Sequence, residues 1–184
     1  GSNPASYTVT DITINLLPAK IAGYGFTCWT SSETIATGST RNKTFTATFS
    51  EYAYTITYVL NGGTNDGSNP VSYTVNDATI NLLDATKLGY TFAGWTPTDT
   101  IPTGSTGNQK FTSTYTEDQT PITITVGIGG TENSSTANGS YGIGTVIDLK
   151  ATADSGYTFV NWTKVNGNAS IANAAALTTT YTIT

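Results

Sequence analysis

Hydrophobic and polar residues alternate along much of the chain, and a period of two is typical of β-strands. The clearest case is residues 54–60, where Tyr, Ile, Tyr and Leu alternate with Thr, Thr and Val. Residues 61–70 follow as a loop rich in Gly and Asn, which are turn residues. No segment keeps a helical period for more than one or two turns, so the pattern predicts a mainly β protein with at most short helical turns.

The same reasoning predicts strands in most of the remaining chain. After the loop we expect strands at residues 71–75, 79–83, 90–95 and 111–115. Residues 84–87 fit either one helical turn or a loop. The pattern predicts a further strand at residues 122–128 and a closing strand that contains Tyr181 and Ile183. Residues 167–177 are rich in Ala and fit either a short helix or a loop.

One motif, Gly-Tyr-x-Phe-x-x-Trp, occurs three times, and its tryptophans lie 66 and 67 residues apart. Constant spacing indicates tandem copies of one folding unit. We therefore expect three repeats: the first at residues 1–51, the second at 52–119 and the third at 120–184. The aromatic residues of the motif follow core alternation and are predicted to form the structural cores: Tyr24, Phe26, Trp29, Tyr90, Phe92, Trp95, Tyr157, Phe159 and Trp162.

The first repeat begins after the position at which the other two place their opening strand. Its sheet is therefore expected to expose unpaired backbone groups and an open apolar groove. Either the opening strand lies upstream in a longer chain, or another subunit supplies it by β-strand addition. The C-terminal residues Tyr181, Thr182, Ile183 and Thr184 repeat the sequence of residues 54–57 and are candidates for such an exchange. They serve equally well as the closing strand of the third repeat.

The segments between the repeats are short. Residues 51–53 connect the first repeat to the second across their boundary, and the five residues 117–121, which end in Pro121, connect the second repeat to the third. Short connections limit the independent motion of domains. The sequence therefore predicts an extended, semi-rigid rod.

The composition of the chain argues against several classes of function. The net charge is −5 with no basic stripe, which argues against nucleic-acid binding, and no apolar run is long enough to span a membrane. The chain has no His and one Cys, so it lacks the parts for thiol or Ser-His catalysis and for an intrachain disulfide. Cys28 fits a small strand residue, with a reactive thiol as the alternative. We expect no cofactor and no metal.

The acidic residues recur with the repeat. Aligned pairs occur at Asp11 and Asp77, Glu33 and Asp99, and Glu51 and Glu117. A catalytic carboxylate pair, as in glycosidases, is expected in one module only. We therefore interpret these acids as solvated surface or turn-capping residues and expect no enzymatic activity.

Glycosylation is a separate question. Asn-x-Ser/Thr sequons, which accept glycans in some exported proteins, occur at Asn42, Asn133, Asn138, Asn161 and Asn168.

The second repeat resembles the Listeria–Bacteroides repeat, the B-repeat of internalin-type bacterial surface proteins. The resemblance rests on Asn61-Gly62-Gly63 and on Gly-Tyr-Thr-Phe-Ala-Gly-Trp at residues 89–95. The first repeat matches from its second strand onward. The third is similar to the divergent branch through Gly129-Gly130 and residues 156–162. The resemblance implies small β-grasp-like modules on exported stalks and adhesins, with no shared catalytic residues.

These observations predict an extracellular, non-enzymatic structural segment of a surface stalk, adhesin or filament. Its expected partners are neighbouring repeats or other copies of itself. One alternative is a binding module whose loops recognise a host or microbial surface glycan or protein. Those loops would be residues 30–41, 96–109 and 163–176. Another alternative is a filament subunit assembled by inter-subunit β-strand addition.

Overall fold

The computed structural model describes residues 1–134, 138–165 and 169–184, and every regular element in these residues is a β-strand. The mainly β fold class is therefore confirmed. Contacts divide the chain into two compact units, one of residues 1–61, 65–85 and 94–113 and the other of the remaining residues. The boundaries of the three repeats stay a prediction. A helix capable of crossing a membrane is not found in the described part of the chain.

The first repeat contains two antiparallel pairs of strands. Its strands are β1 (Ile14–Asn15), β2 (Tyr24–Trp29), β3 (Thr34–Ile35) and β4 (Ala47–Glu51). Strand β1 pairs with β3, and β2 pairs with β4 through a bulge between Phe26 and Cys28.

The second repeat has a larger sheet. Its strands are β5 (Tyr54–Val59), β6 (Ser72–Tyr73), β7 (Ile80–Asn81), β8 (Tyr90–Thr96), β9 (Thr100–Ile101) and β10 (Gln109–Glu117). The order β6-β5-β10-β8 forms one sheet, and β7 pairs with β9. Each predicted strand of this repeat is present, and residues 84–87 form no helix.

Strand β5 lies in the interior of this sheet. It pairs in parallel with β10, with Phe111 opposite Tyr58, and in antiparallel fashion with β6. Its inward side chains Ile56 and Tyr58 meet the core of the repeat, where Trp95 is 6% exposed and Phe111 is 1% exposed. The alternation in residues 54–60 thus places one face of the strand against the aromatic core.

The third repeat has a second four-stranded sheet. Its strands are β11 (Thr120–Ile122), β12 (Gly130–Glu132), β13 (Gly139–Tyr141), β14 (Val146–Ala153), β15 (Ala169–Ile171) and β16 (Thr178–Ile183). The sheet order is β12-β14-β16-β15, and β11 pairs with β13. Ile147, Leu149 and Ile183 form its buried centre.

Two predictions for the third repeat differ from the structure. The strand expected at residues 122–128 ends at Ile122, because its partner β13 is only three residues long and the Asn138 side chain accepts the Ile124 N–H instead. Of residues 167–177, which were expected to form a short helix or a loop, residues 169–171 form a strand, residues 172–177 form a loop, and residues 167–168 lie outside the described residues. Residues 157–162 form no strand, although the aligned residues 90–95 do, because β15 occupies the place beside the closing strand that β8 takes in the second repeat. The β-grasp arrangement and the rod shape stay predictions.

Candidate functional site

The indole N–H of the motif tryptophan donates to a backbone carbonyl in every repeat, and the acceptors in the first two repeats are aligned residues. The indole N–H donates to the Leu17 carbonyl from Trp29, to the Leu83 carbonyl from Trp95 and to the Ala176 carbonyl from Trp162, at 3.2, 3.1 and 3.0 Å. A buried indole usually finds such a partner. This arrangement agrees with a structural role for the three residues.

The other aromatic residues predicted as cores differ in burial. Phe26, Phe92 and Phe159 are half-buried and each lies against another ring. Tyr24 and Tyr90 are also half-buried. Tyr157 is 53% exposed, so it is not a core residue in this structure.

Two of the recurring acids cap turns. The Asp11 carboxylate accepts the N–H of Thr8 at 2.7 Å, and the Asp77 carboxylate accepts the N–H of Thr74 at 2.8 Å. The same bond at aligned positions indicates a local structural role. No cluster of three acidic or metal-ligating side chains exists among the residues that the structure describes.

The sequon asparagines lie on the surface where the structure describes them. Asn42, Asn133, Asn138 and Asn161 are exposed. Asn138 accepts the Ile124 N–H, and the Asn133 side chain donates to Thr152. Asn168 lies outside the described residues, as does part of the predicted loop 163–176.

The first repeat carries an open groove of about 440 Å³. Its apolar lining includes Tyr7, Leu16, Trp29 and Phe45, which are half-buried, and Ile35, which is 7% exposed. The five aligned residues of the second repeat are all buried, at 1–7% exposure: Tyr73, Leu82, Trp95, Ile101 and Phe111. The groove therefore corresponds to the space that β5 fills in the second repeat.

The edge of this groove is also irregular. Strand β10 begins at Gln109, and its residues 109–112 pair with β5. The aligned residues 43–46 of the first repeat belong to no strand, and β4 begins only at Ala47. Residues 43–46, which pair with no strand, are thus aligned with residues 109–112, which pair with β5.

The burial of Tyr58, a residue of β5, changes the pKa of its phenol. Desolvation raises the pKa of the Tyr58 phenol above its ordinary value of 10.0. Its hydroxyl donates to the Pro70 carbonyl at 2.8 Å, and its ring lies 5.5 Å from that of Trp95. Tyr58 therefore covers Trp95 in the core of the second repeat, whereas the aligned Trp29 of the first repeat lines the open groove.

A second feature is a joint between the first and second repeats. Gly23 has a φ of +84°, and a Cβ added to it would lie 2.6 Å from the Cβ of Val75. The Tyr52 N–H donates to the Gly23 carbonyl at 2.9 Å. The Asn76 side chain donates to the Tyr24 hydroxyl and to the Glu51 carboxylate. Glycine is required here by both its backbone conformation and the close approach.

The joint recurs between the second and third repeats at aligned positions. Gly89 has a φ of +75°, and a Cβ added to it would overlap Ile143. The Asp118 N–H donates to the Gly89 carbonyl at 2.9 Å, as that of Tyr52 does to Gly23. Glu117, the counterpart of Glu51, lies against Gly142. The two segments that meet at each joint, Gly-Tyr and Ser-Tyr-x-Val/Ile, are repeated in the sequence. The sequence analysis did not predict that the first segment contacts the second.

Among the described residues, the first repeat has the β-branched residue of this joint with no glycine packed against it. The third repeat has the glycine with no β-branched residue packed against it. Val9 is aligned with Val75 and sits in a turn with the same hydrogen bonds, but it is 55% exposed. Gly156 is aligned with Gly89 and has a φ of +84°, with no described atom within 4 Å of an added Cβ. This explains the exposure of Tyr157, which follows Gly156 in the turn.

The candidate exchange segment lies inside the sheet of its own repeat. Tyr181 and Thr182 pair with β14 on one side and with β15 on the other, and Ile183 is 3% exposed. In this structure the segment is the closing strand of the third repeat. An exchange between subunits would require it to leave both neighbours, and that exchange stays a prediction.

Comparison with known families identifies two consecutive modules. Residues 54–123 match the Listeria-Bacteroides repeat domain, and residues 120–184 match the divergent InlB B-repeat domain. Searches for similar curated proteins and solved structures gave no match. Repeats of this kind occur in bacterial surface and extracellular proteins. Residues 54–184 therefore comprise two tandem modules that belong to the Listeria–Bacteroides, or InlB-type, B-repeat family.

Proposed function

We propose that this chain is a structural spacer segment of an extracellular surface protein, which gives reach and display and has no catalytic activity. The observation that carries the proposal is the recurring joint. A spacer needs successive modules to hold a fixed orientation, and the same glycine meets the same β-branched position at both junctions. The backbone hydrogen bonds to Gly23 and Gly89 further restrict the connecting segments.

The chemistry of the described surface supports the same proposal. The recurring acids Asp11 and Asp77 are engaged in turns, and histidine is absent from the sequence. The family is one of repeat modules found in surface proteins. In each repeat the motif tryptophan packs against hydrophobic residues of the same repeat, and an array of such modules gains length by adding modules.

The joint can be tested by measuring the distance between two spin labels in a Cys28→Ser background. Cysteines introduced at the exposed positions Thr27 and Lys110 would carry the labels. We expect one narrow distance distribution for the parent and a broader or displaced one for Gly23→Val, because the new side chain overlaps Val75. Pulsed electron paramagnetic resonance measures both quantities.

A matched control separates the joint from backbone strain. Gly38 has nearly the same conformation, with a φ of +81°, and no atom of the described residues lies within 4 Å of an added Cβ. Gly38→Val should therefore strain its turn and leave the distance distribution narrow. If Gly23→Val behaves like Gly38→Val, the joint does not orient the repeats and the spacer proposal loses its support.

The rival function is ligand binding through the loops after each core tryptophan. It predicts retention of the chain on a glycan array or on cells. It also predicts that this retention disappears when residues 30–41 or 96–109 are replaced by Gly-Ser sequences while the strands remain folded. Such a result would favour an adhesive module over a spacer.

A further inference from the structure

We infer that the two joints are matched to different neighbours: the turn that carries the β-branched residue recognises the end of the closing strand in the repeat before it. The inference rests on the spacer function proposed above and extends it to the choice of partner. Both turns meet the same features of the preceding repeat, a glycine turn followed by tyrosine and a glutamate that ends the closing strand. The turns themselves differ at aligned positions, with Thr74 and Asn76 at the first joint and Gly142 and Gly144 at the second.

The backbones of the two turns also differ. Each turn is closed by an aligned hydrogen bond, from the Asp77 N–H to the Thr74 carbonyl and from the Thr145 N–H to the Gly142 carbonyl. Gly144 has a φ of +82°, which a type II turn requires at its third position. The aligned Asn76 is not among the described residues with positive φ, as expected for a type I turn. A side chain is therefore present at this position in the first joint only.

At the first joint the following repeat supplies the hydrogen-bond donor. The Asn76 side chain donates to the Tyr24 hydroxyl at 2.7 Å and to the Glu51 carboxylate. A hydrogen bond to an ionised acceptor is stronger than one between neutral groups. Ala53, two residues after Glu51, has no side-chain donor, so Asn76 takes that role from across the joint.

At the second joint the preceding repeat supplies its own donor. The Gln119 side chain, aligned with Ala53, donates to Oε2 of Glu117 at 3.2 Å. The other carboxylate oxygen of Glu117 lies 2.0 Å from the position that a Cβ on the buried Gly142 would take. The third repeat thus contributes space for the carboxylate where the second contributes a donor.

A mismatched joint would lose one of these arrangements. If the turn of the third repeat met Glu51, neither the glycines of that turn nor Ala53 would offer its carboxylate a side-chain donor. If the turn of the second repeat met Glu117, the Cβ of Thr74 would overlap the carboxylate and displace it from Gln119. Lost hydrogen bonds and overlaps are the means by which interfaces reject a wrong partner. Each turn therefore selects a B-repeat by the residue that lies two positions after its glutamate.

The first joint is tested through the Tyr52 amide, which donates to the Gly23 carbonyl and so reports opening of the joint. Its hydrogen exchange is measured by NMR in the 184-residue protein. Asn76→Ala should accelerate this exchange about threefold, as the loss of one exposed hydrogen bond does. Adding Ala53→Gln should restore the parent rate, because the new side chain donates to Glu51 as Gln119 does to Glu117. Adding Ala53→Glu, a side chain of the same size without a donor, should not.

The second joint is tested through the Asp118 amide, which donates to the Gly89 carbonyl. Gly142 does not have a positive φ, so Gly142→Thr adds a side chain without straining the backbone. It should accelerate exchange of the Asp118 amide about fivefold, because the carboxylate of Glu117 loses its place and its hydrogen bond. Glu117→Ala in the same chain should remove most of this effect by vacating the space.

The outcomes separate this inference from the spacer function. Equal exchange rates after Ala53→Gln and Ala53→Glu would overturn the matching of the joints. Faster exchange at Asp118 that Glu117→Ala does not reverse would overturn it as well. In either case a broadened distance distribution in Gly23→Val would still support the spacer. If Gly23→Val leaves that distribution narrow, the spacer function and the matching fail together. The result that we expect is restoration by Ala53→Gln at the first joint and by Glu117→Ala at the second.

Discussion

The open groove makes a quantitative prediction about two aligned tryptophans. Trp95 is 6% exposed, lies 5.5 Å from the Tyr58 ring and donates a hydrogen bond to Leu83. Replacing a buried tryptophan by alanine costs about 3–5 kcal/mol. A domain the size of the second repeat is stable by only about 3–10 kcal/mol. Trp95→Ala should therefore remove a large part of the stability of this repeat.

Trp29 provides the matched comparison within the same chain. It keeps the Phe26 ring at 5.6 Å and the hydrogen bond to Leu17, but no counterpart of Tyr58 covers its other face, and it is only half-buried. Because the cost scales with the apolar area removed from water, we expect Trp29→Ala to cost roughly half as much, about 1.5–2.5 kcal/mol.

The two costs must be measured repeat by repeat, since several modules in one chain need not unfold as one unit. Hydrogen exchange followed by mass spectrometry along a urea series assigns a free energy of unfolding to peptides from each repeat. We expect the second repeat to lose more in Trp95→Ala than the first loses in Trp29→Ala. Equal losses, or a larger loss at Trp29, would refute the reasoning, because they would show that the groove does not weaken the core around that tryptophan.

Two further predictions concern the second repeat. The raised pKa of Tyr58 means that the folded state favours the neutral phenol, so the stability it contributes is complete below pH 10 and is lost as pH rises through the folded-state pKa. Tyr58→Phe should reduce the decrease in melting temperature between pH 9 and 12. Tyr157→Phe, at an exposed position, should leave that decrease unchanged. The Asn69 side chain bonds both the N–H and the carbonyl of Leu83 and is 6% exposed. Asn69→Ala should therefore cost about 2–3 kcal/mol in urea unfolding, and the more exposed Asn3→Ala, which breaks the same pair of bonds to Leu17, should cost less. A larger cost at Asn3 would contradict this reasoning.

Local pattern was sufficient for the elements of the second repeat. Strands β5, β8 and β10 lie where the alternation of hydrophobic and polar residues predicts them. The pattern was insufficient in the third repeat. Residues 122–128 alternate as clearly as residues 54–60, yet Ile128 is 95% exposed. A strand needs a partner of matching length as well as a suitable sequence, and β13 pairs with only one residue of this segment, Ile122.

The sequence by itself determined the repeats, the family and the open groove of the first repeat, because each of these depends on aligned residues or on short-range alternation. Only the tertiary structure decided how the repeats contact one another. The joint places Gly23 against Val75 and Gly89 against Ile143, pairs of residues more than 50 positions apart. Neither residue of a pair carries a local signal for the other. The glycines are required because a β-branched side chain from the next repeat occupies the space where their own Cβ would lie.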